Sequence, residues 1–148
     1  MIIRAAFLVS LFFCSFQGTL AADPIDRLIR SADARFEKGE YALAVPLYLL
    51  AVEKGARNEH VCRRLGYSYY QVGDFVQSEV WYAELMKYLG REDADVHAYA
   101  EALKRNGKYA EYEHWLGQLI QSGSYEMVTS YRAELEQQRT LRSNASQF

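Results

Sequence analysis

Apolar residues recur along this chain at helical spacing. Ile25, Leu28, Ile29, Ala32 and Phe36 fall three or four apart and predict an amphipathic helix over about 24–38. Asp23-Pro24 marks its start, because Asp caps a helix and Pro suits the first turn. The same pattern predicts helices near 41–54, 59–72, 75–89, 94–106 and 109–121, with Asn58 as a cap for the third. Gly90 to Asp93 reads as a loop, and Ser122-Gly123-Ser124 breaks the chain. A last helix, about 125–141, carries Tyr125, Met127, Val128, Tyr131 and Leu135 on one face, with Ser124 as its cap. Residues 142–148 read as a disordered tail. No alternating strand pattern occurs, so the expected fold class is all-α.

The helices are not independent. Gly39, Gly73 and Gly107 stand 34 residues apart, each followed two residues on by an aromatic, Tyr41, Phe75 or Tyr109. Small residues lie seven before each glycine, at Ala32, Gly66 and Ala100. Tyr48, Tyr82 and Leu116 lie nine after, and Ala51, Leu85 and Leu119 twelve after. A glycine just past a helix end supplies the positive φ that closes the helix and turns the chain. Small residues let paired helices approach, and the aromatics fill the space between them. Such a period indicates stacked helix pairs, none of which buries its face alone.

This pattern resembles the tetratricopeptide repeat (TPR). The middle copy is clearest, Leu65-Gly66-Tyr67-Ser68-Tyr69-Tyr70-Gln71-Val72-Gly73-Asp74-Phe75 followed by Ser78, Tyr82 and Leu85. The resemblance covers about residues 25–125 and implies a right-handed α-solenoid of three helix pairs (about 25–58, 59–92 and 93–125) plus a C-terminal capping helix. The alternative for that last helix is the first half of a fourth repeat. The chain departs from the family in three places. Ala56, Gly90 and Ser124 stand where Pro is common, Pro46 falls inside the second helix, and Tyr112 occupies a small-residue position taken by Ala44 and Ser78 elsewhere. Tyr112 predicts a third repeat more open or shifted near its second helix. The segment Tyr99–Tyr109, with Trp115, also looks like the N-terminal TPR segment of OmpA-like outer-membrane proteins, some of them linked to type IX secretion and gliding. Those proteins continue into a propeller-like region and a peptidoglycan-binding domain, neither of which is in this sequence.

Residues 1–22 read as a secretory signal peptide. Arg4 opens it, Ala5 to Phe16 is apolar, and Thr19-Leu20-Ala21-Ala22 offers cleavage options. The resulting expectation is a protein of the periplasm or the periplasmic face of the outer membrane. Cys14 lies in the leader, and Phe13 before it argues against lipidation. Cys62 then remains alone, so no internal disulfide forms, and its place in the pattern makes it a small buried hydrophobe. The formal net charge is -2 and becomes -3 once Arg4 leaves with the leader. Charges of both signs are interspersed, which gives no footprint for nucleic acid and no polybasic stretch for anionic membrane.

Nothing in the sequence assembles a catalytic or cofactor motif, and we expect no enzyme, no cofactor and no resident metal. His97 and Glu101 are four apart and could share a metal; the expected reading is a surface helix pair. The twelve tyrosines mostly fall at repeat core positions, where the ring packs and the hydroxyl reaches the surface. The resemblance instead implies a concave groove, lined by the first helix of each pair, that binds a protein or peptide. Mapped onto this chain, the groove takes Ile29, Asp33, Phe36 and Glu37 from repeat one. Repeat two gives Arg63, Tyr67, Tyr70 and Gln71, and repeat three gives His97, Glu101, Lys104 and Arg105. Asp33 and Tyr67 replace the asparagines, and Ile29 the first lysine, of the carboxylate-gripping version, so a mixed-charge groove with aromatic walls is expected. Association with outer-membrane or secretion components is the matching expectation for partners.

Overall fold

The computed structural model describes residues 23–122 and 125–145, with backbone only for 125–127. Seven helices and no strands are present among them: α1 (Pro24–Glu37), α2 (Tyr41–Glu53), α3 (Glu59–Gln71), α4 (Phe75–Leu85), α5 (Asp93–Arg105), α6 (Tyr109–Ser122) and α7 (Tyr125–Ala145). The expected signal peptide, and the expected cap at Ser124, lie outside the described residues.

Helix starts follow side-chain chemistry. The Asp23 carboxylate accepts from the Ile25 N–H at 2.9 Å, Asn58 from Val61 at 3.0 Å, and Asp74 from Gln77 at 3.0 Å. Each satisfies an otherwise orphaned amide. Helix ends follow glycine. Gly39, Gly73 and Gly107 have φ of +74°, +83° and +76°. Beyond each, the next residue's N–H reaches back to the last turn: Glu40 to Arg35 O, Asp74 to Tyr69 O and Lys108 to Leu103 O, at 2.9–3.0 Å. This double closure satisfies the terminal carbonyls and reverses the chain.

A side chain added at Gly73 would meet no atom within 4 Å, so its penalty is conformational alone. We expect Gly73→Val to destabilise by about 1 kcal/mol or more, because a β-branched residue resists positive φ. Gly73→Ala should cost less, and thermal melts of both variants check the order.

Each helix packs mainly on its neighbours in sequence, and α1 touches α3 as α3 touches α5. Odd-numbered helices therefore form one face and even-numbered helices the other. One core gathers Ala32, Ala44, Tyr48, Cys62, Leu65, Trp81, Tyr82 and Leu85. A second gathers Val96, Ala100, Leu103, Tyr112, Leu116, Leu119, Tyr131 and Leu135. At Gly66 a Cβ would stand 3.0 Å from the Tyr82 ring, and the Gly66 carbonyl accepts from buried Ser78 Oγ at 2.9 Å. That contact is why the middle copy of the pattern carries Gly at the small position.

Two expectations need correction. α4 ends at Leu85, four residues short of the expected 89. Its chain tightens through Lys87 N–H to Glu84 O and Tyr88 N–H to Leu85 O, and the Tyr88 hydroxyl donates to Arg57 O at 3.1 Å in the loop before α3. α7 runs to Ala145, so residues 142–145 are helical rather than a tail, while 146–148 lie outside the described residues. Arg142 donates to Glu113 at 2.8 Å and stands 5.0 Å over the Tyr109 ring, which holds that last turn. Tyr112 is fully buried, its hydroxyl donating to Glu134 of α7 at 2.8 Å, so α7 takes up the large side chain. α2 continues through Pro46, which has no N–H to offer the Ala42 carbonyl.

Candidate functional site

The odd-numbered helices supply all of the expected groove residues. Most of their charged members pair with a neighbouring helix, while Arg105 stays exposed over the Phe75 ring. Between α1 and α3, the Asp33 carboxylate accepts from the Tyr48 hydroxyl and pairs with His60 at 2.8 Å. Glu37, on the rim, pairs with Arg64 at 2.8 Å. Between α3 and α5, Arg63 donates to both oxygens of Asp95, at 2.7 and 2.8 Å, and to Glu59 at 2.9 Å. Those bonds hold the guanidinium above its ordinary range. Asp95 also accepts from the Glu92 N–H at 2.8 Å, which fixes the start of α5. Between α5 and α7, His97 pairs with Glu134 at 3.2 Å and stacks on Tyr131 at 5.0 Å, and Lys104 pairs with Glu134 at 3.1 Å and contacts Glu101. Arg63 and His97 are one period apart, and each binds an acid on the next odd helix.

His97, Glu101 and Glu134 offer three ligand atoms within 4.8 Å of one another. A divalent ion could use that set, but the Lys104 ammonium already lies against both carboxylates and would have to be displaced. Burial pushes Glu134 upward, yet hydrogen bonds from Glu101, Tyr112, His97 and Lys104 outweigh it and hold the carboxyl at about 2. Burial and the shared proton with Glu134 raise Glu101. The two act with opposite sign. Glu134 stabilises the fold above its ordinary value of 4.5, and that stability is lost as pH falls toward 2. Glu101 favours the folded state while it keeps its proton and loses that advantage as pH rises through its raised value. The melting-temperature gap between the wild type and Glu134→Gln should therefore narrow as pH falls from about 4.5 toward 2.

The aromatic residues repeat a second arrangement. Each aromatic that follows a turn glycine is met by the next odd helix: Tyr67 on Tyr41 at 5.5 Å, Arg105 over Phe75 at 5.3 Å and Arg142 over Tyr109 at 5.0 Å. Phe36 touches Tyr41 and Tyr67, with the Arg64 guanidinium 4.0 Å over its ring. Tyr70 packs edge-on against Phe75 at 5.2 Å and its hydroxyl pairs with Arg105. Ile29 sits against the first core, and Gln71 is exposed.

Only part of the expected groove converges on open space. A cleft of about 370 Å³ lies between α3 and α5, with Phe36, Arg63 and Tyr67 among its walls. The expected Asp33, Glu37, Tyr70, His97, Glu101, Lys104 and Arg105 are outside it. His60, Arg64, Tyr82, Ala94, Asp95 and Ala98 complete the lining and were not anticipated. Ala94 and Ala98 stand one period after His60 and Arg64, so the small residues that open the cleft were visible as a change within the repeat. Glu134 had no such signal, since its partners lie 22 to 37 residues away.

No protein-family model matches the chain, and no curated protein sequence does. Solved structures do. The TPR domain of Sgt2 from Aspergillus fumigatus superposes with a TM-score of 0.63 at 17% identity, over 85% of this chain and 84% of that one. The type III secretion translocator chaperone SycD of Yersinia enterocolitica gives 0.64 at 20% identity, over 84% and 98%. MamA of AMB-1 gives 0.60 at 21% identity, over 74% of this chain and 61% of that one. With seven helices among the described residues, glycine turns and nearest-neighbour packing, the chain has the all-α helical-repeat fold of TPR domains.

Proposed function

We propose that this chain is an exported protein-binding module, an adaptor or assembly factor of the bacterial cell envelope, which holds a peptide or partner segment on its odd-helix face. The observation that carries this reading is the division of labour on that face. Most of its charges are paired between neighbouring helices, while Tyr67 remains 39% exposed beside Phe36 at the mouth of a cleft. A surface already braced in this way is pre-organised and presents aromatic area, the kind that dominates binding energy. That SycD is a translocator chaperone agrees with a binding role. Export to the periplasm or the periplasmic face of the outer membrane rests on the leader-like residues 1–22 alone.

The test is crosslinking affinity purification from envelope extracts with the wild type and Tyr67→Ala, the latter shown to keep its melting temperature. Arg63 is unsuitable for this purpose, because it ties α3 to α5. Loss of the captured partners in Tyr67→Ala is expected; their retention would move binding off this face. A second reading, favoured by the Tyr99–Tyr109 segment with Trp115, makes the chain a truncated relative of the OmpA-like type IX secretion and gliding proteins with a structural role at the outer membrane. A downstream reading frame encoding a peptidoglycan-binding domain would support it, and its absence would count against it.

A further inference from the structure

The even-helix face is apolar where the odd-helix face is charged. α2 carries no charged residue from Tyr41 to Val52, and Ala42, Leu43, Pro46 and Leu50 lie exposed on it, Leu43 by 53%. One period on, at the positions of Ala42 and Pro46, α4 exposes Val76 by 64% and Val80 by 54%. The strip stops at the third repeat, where exposed His114 takes the place of Val80 and Glu111 lies on the same helix. Helices of 13 and 11 residues, each about 10 Å across, present together a face of roughly 400 Å². An exposed apolar patch of that order marks a contact surface.

The face is complementary to itself. Beside α4 lies a hollow of about 380 Å³, walled by Val76, Val80, Asn106 and the Glu79–Lys108 pair. On α2, Leu43 and Leu50 are aliphatic side chains that such a hollow admits. The charges agree. Glu53 ends α2 and Lys87 follows α4; both are exposed, opposite in sign and one period apart. Lys87 is 69% exposed, and its bond to Glu84 at 2.6 Å is a surface pair of small worth. A two-fold axis parallel to the helices lays α2 of one copy along α4 of the other. Equivalent positions then meet, Ala42 on Val76, Pro46 on Val80 and Glu53 on Lys87, and each contact is made twice.

We infer that this strip joins two copies of the chain into a two-fold dimer, with α2 of each copy on α4 of the other. The dimer goes beyond the binding role proposed for the odd-helix face and leaves that face open. A face of this size is small for a stable complex, so the dimer is reversible and forms only in concentrated protein. The strip offers an incoming surface no charge along α2, and the opposite charges at its end select a second copy in this register.

Analytical ultracentrifugation of the purified protein over a wide concentration range tests the inference. We expect a monomer–dimer equilibrium. Val76→Asp should leave a monomer at every concentration and keep the melting temperature of the wild-type monomer, because that side chain is mostly in solvent. Glu53→Lys and Lys87→Glu should each weaken the dimer about tenfold, as two exposed opposite-charge contacts become two like-charge ones. The double variant Glu53→Lys/Lys87→Glu should regain the wild-type dissociation constant. A wild type that stays monomeric throughout would overturn the inference, and so would a dimer that survives Val76→Asp. A double variant weaker than either single one would overturn the pairing of α2 with α4. None of these results depends on the crosslinked partners of Tyr67, so the odd-helix reading stands or falls separately.

Discussion

Tyr112→Ala should destabilise the protein by about 3–5 kcal/mol, as truncation of a fully buried aromatic does. The ring is wholly enclosed among Leu103, Leu116, Leu119 and the α7 residues Tyr131 and Leu135. Its loss opens a cavity and also strips Glu134 of the hydroxyl that donates to it at 2.8 Å. Lys104, whose ammonium stands 5.0 Å over that ring, loses its aromatic support as well. Tyr112→Phe separates the effects. It keeps the ring, removes the hydroxyl, and should cost about 1.5–3 kcal/mol, the range for a bond to a charged acceptor. Chemical denaturation of both variants measures the two steps. If Tyr112→Ala melted like the wild type, α7 would not be packed on the third repeat in the way described.

Asp95→Ala should cost about 3 kcal/mol, although the residue lies on the binding face. Its side chain is 7% exposed and has two tasks. It receives both arms of the Arg63 fork, and it accepts the Glu92 N–H at the start of α5. Removal leaves Arg63 with Glu59 alone and takes away half of the capping box that Asp95 forms with Glu92 at the start of α5. The arginine's partial exposure places the total at the lower end for broken ion pairs. In the Arg63→Ala/Asp95→Ala double variant the losses should fall short of additive, since the second deletion removes a group already without its partner. Simple additivity in urea unfolding would mean the pair does not couple α3 to α5.

The frame of the molecule was legible because it depends on local chemistry. Gly39, Gly73 and Gly107 announce their positive φ by position, and Asp23 and Asn58 cap as their residue types predict. The helix boundaries that were missed depend on distant groups. α4 stops early because the Tyr88 hydroxyl reaches the Arg57 carbonyl 31 residues back, and α7 continues because Arg142 reaches Glu113. The same distinction governs the site. The resemblance to TPR domains placed Arg63 and Tyr67 on the odd-helix face, and both line the cleft. It could not tell that Arg63 is spent on Asp95, 32 residues on, whereas Tyr67 is left facing solvent. Periodicity assigns a residue to a face; which charges on that face remain free is decided by the helix opposite.

Cys62 stands on α3 with no solvent exposure, in the core that joins the first and second repeats. Burial pushes its thiol above the ordinary range. Without residues 1–22 it is the chain's single sulfhydryl. A thiol reagent in the surrounding solution therefore has nothing to react with while the middle of the stack stays shut. Its rate of consumption becomes a native stopwatch for how often α3 lifts away from its neighbours, with no label introduced.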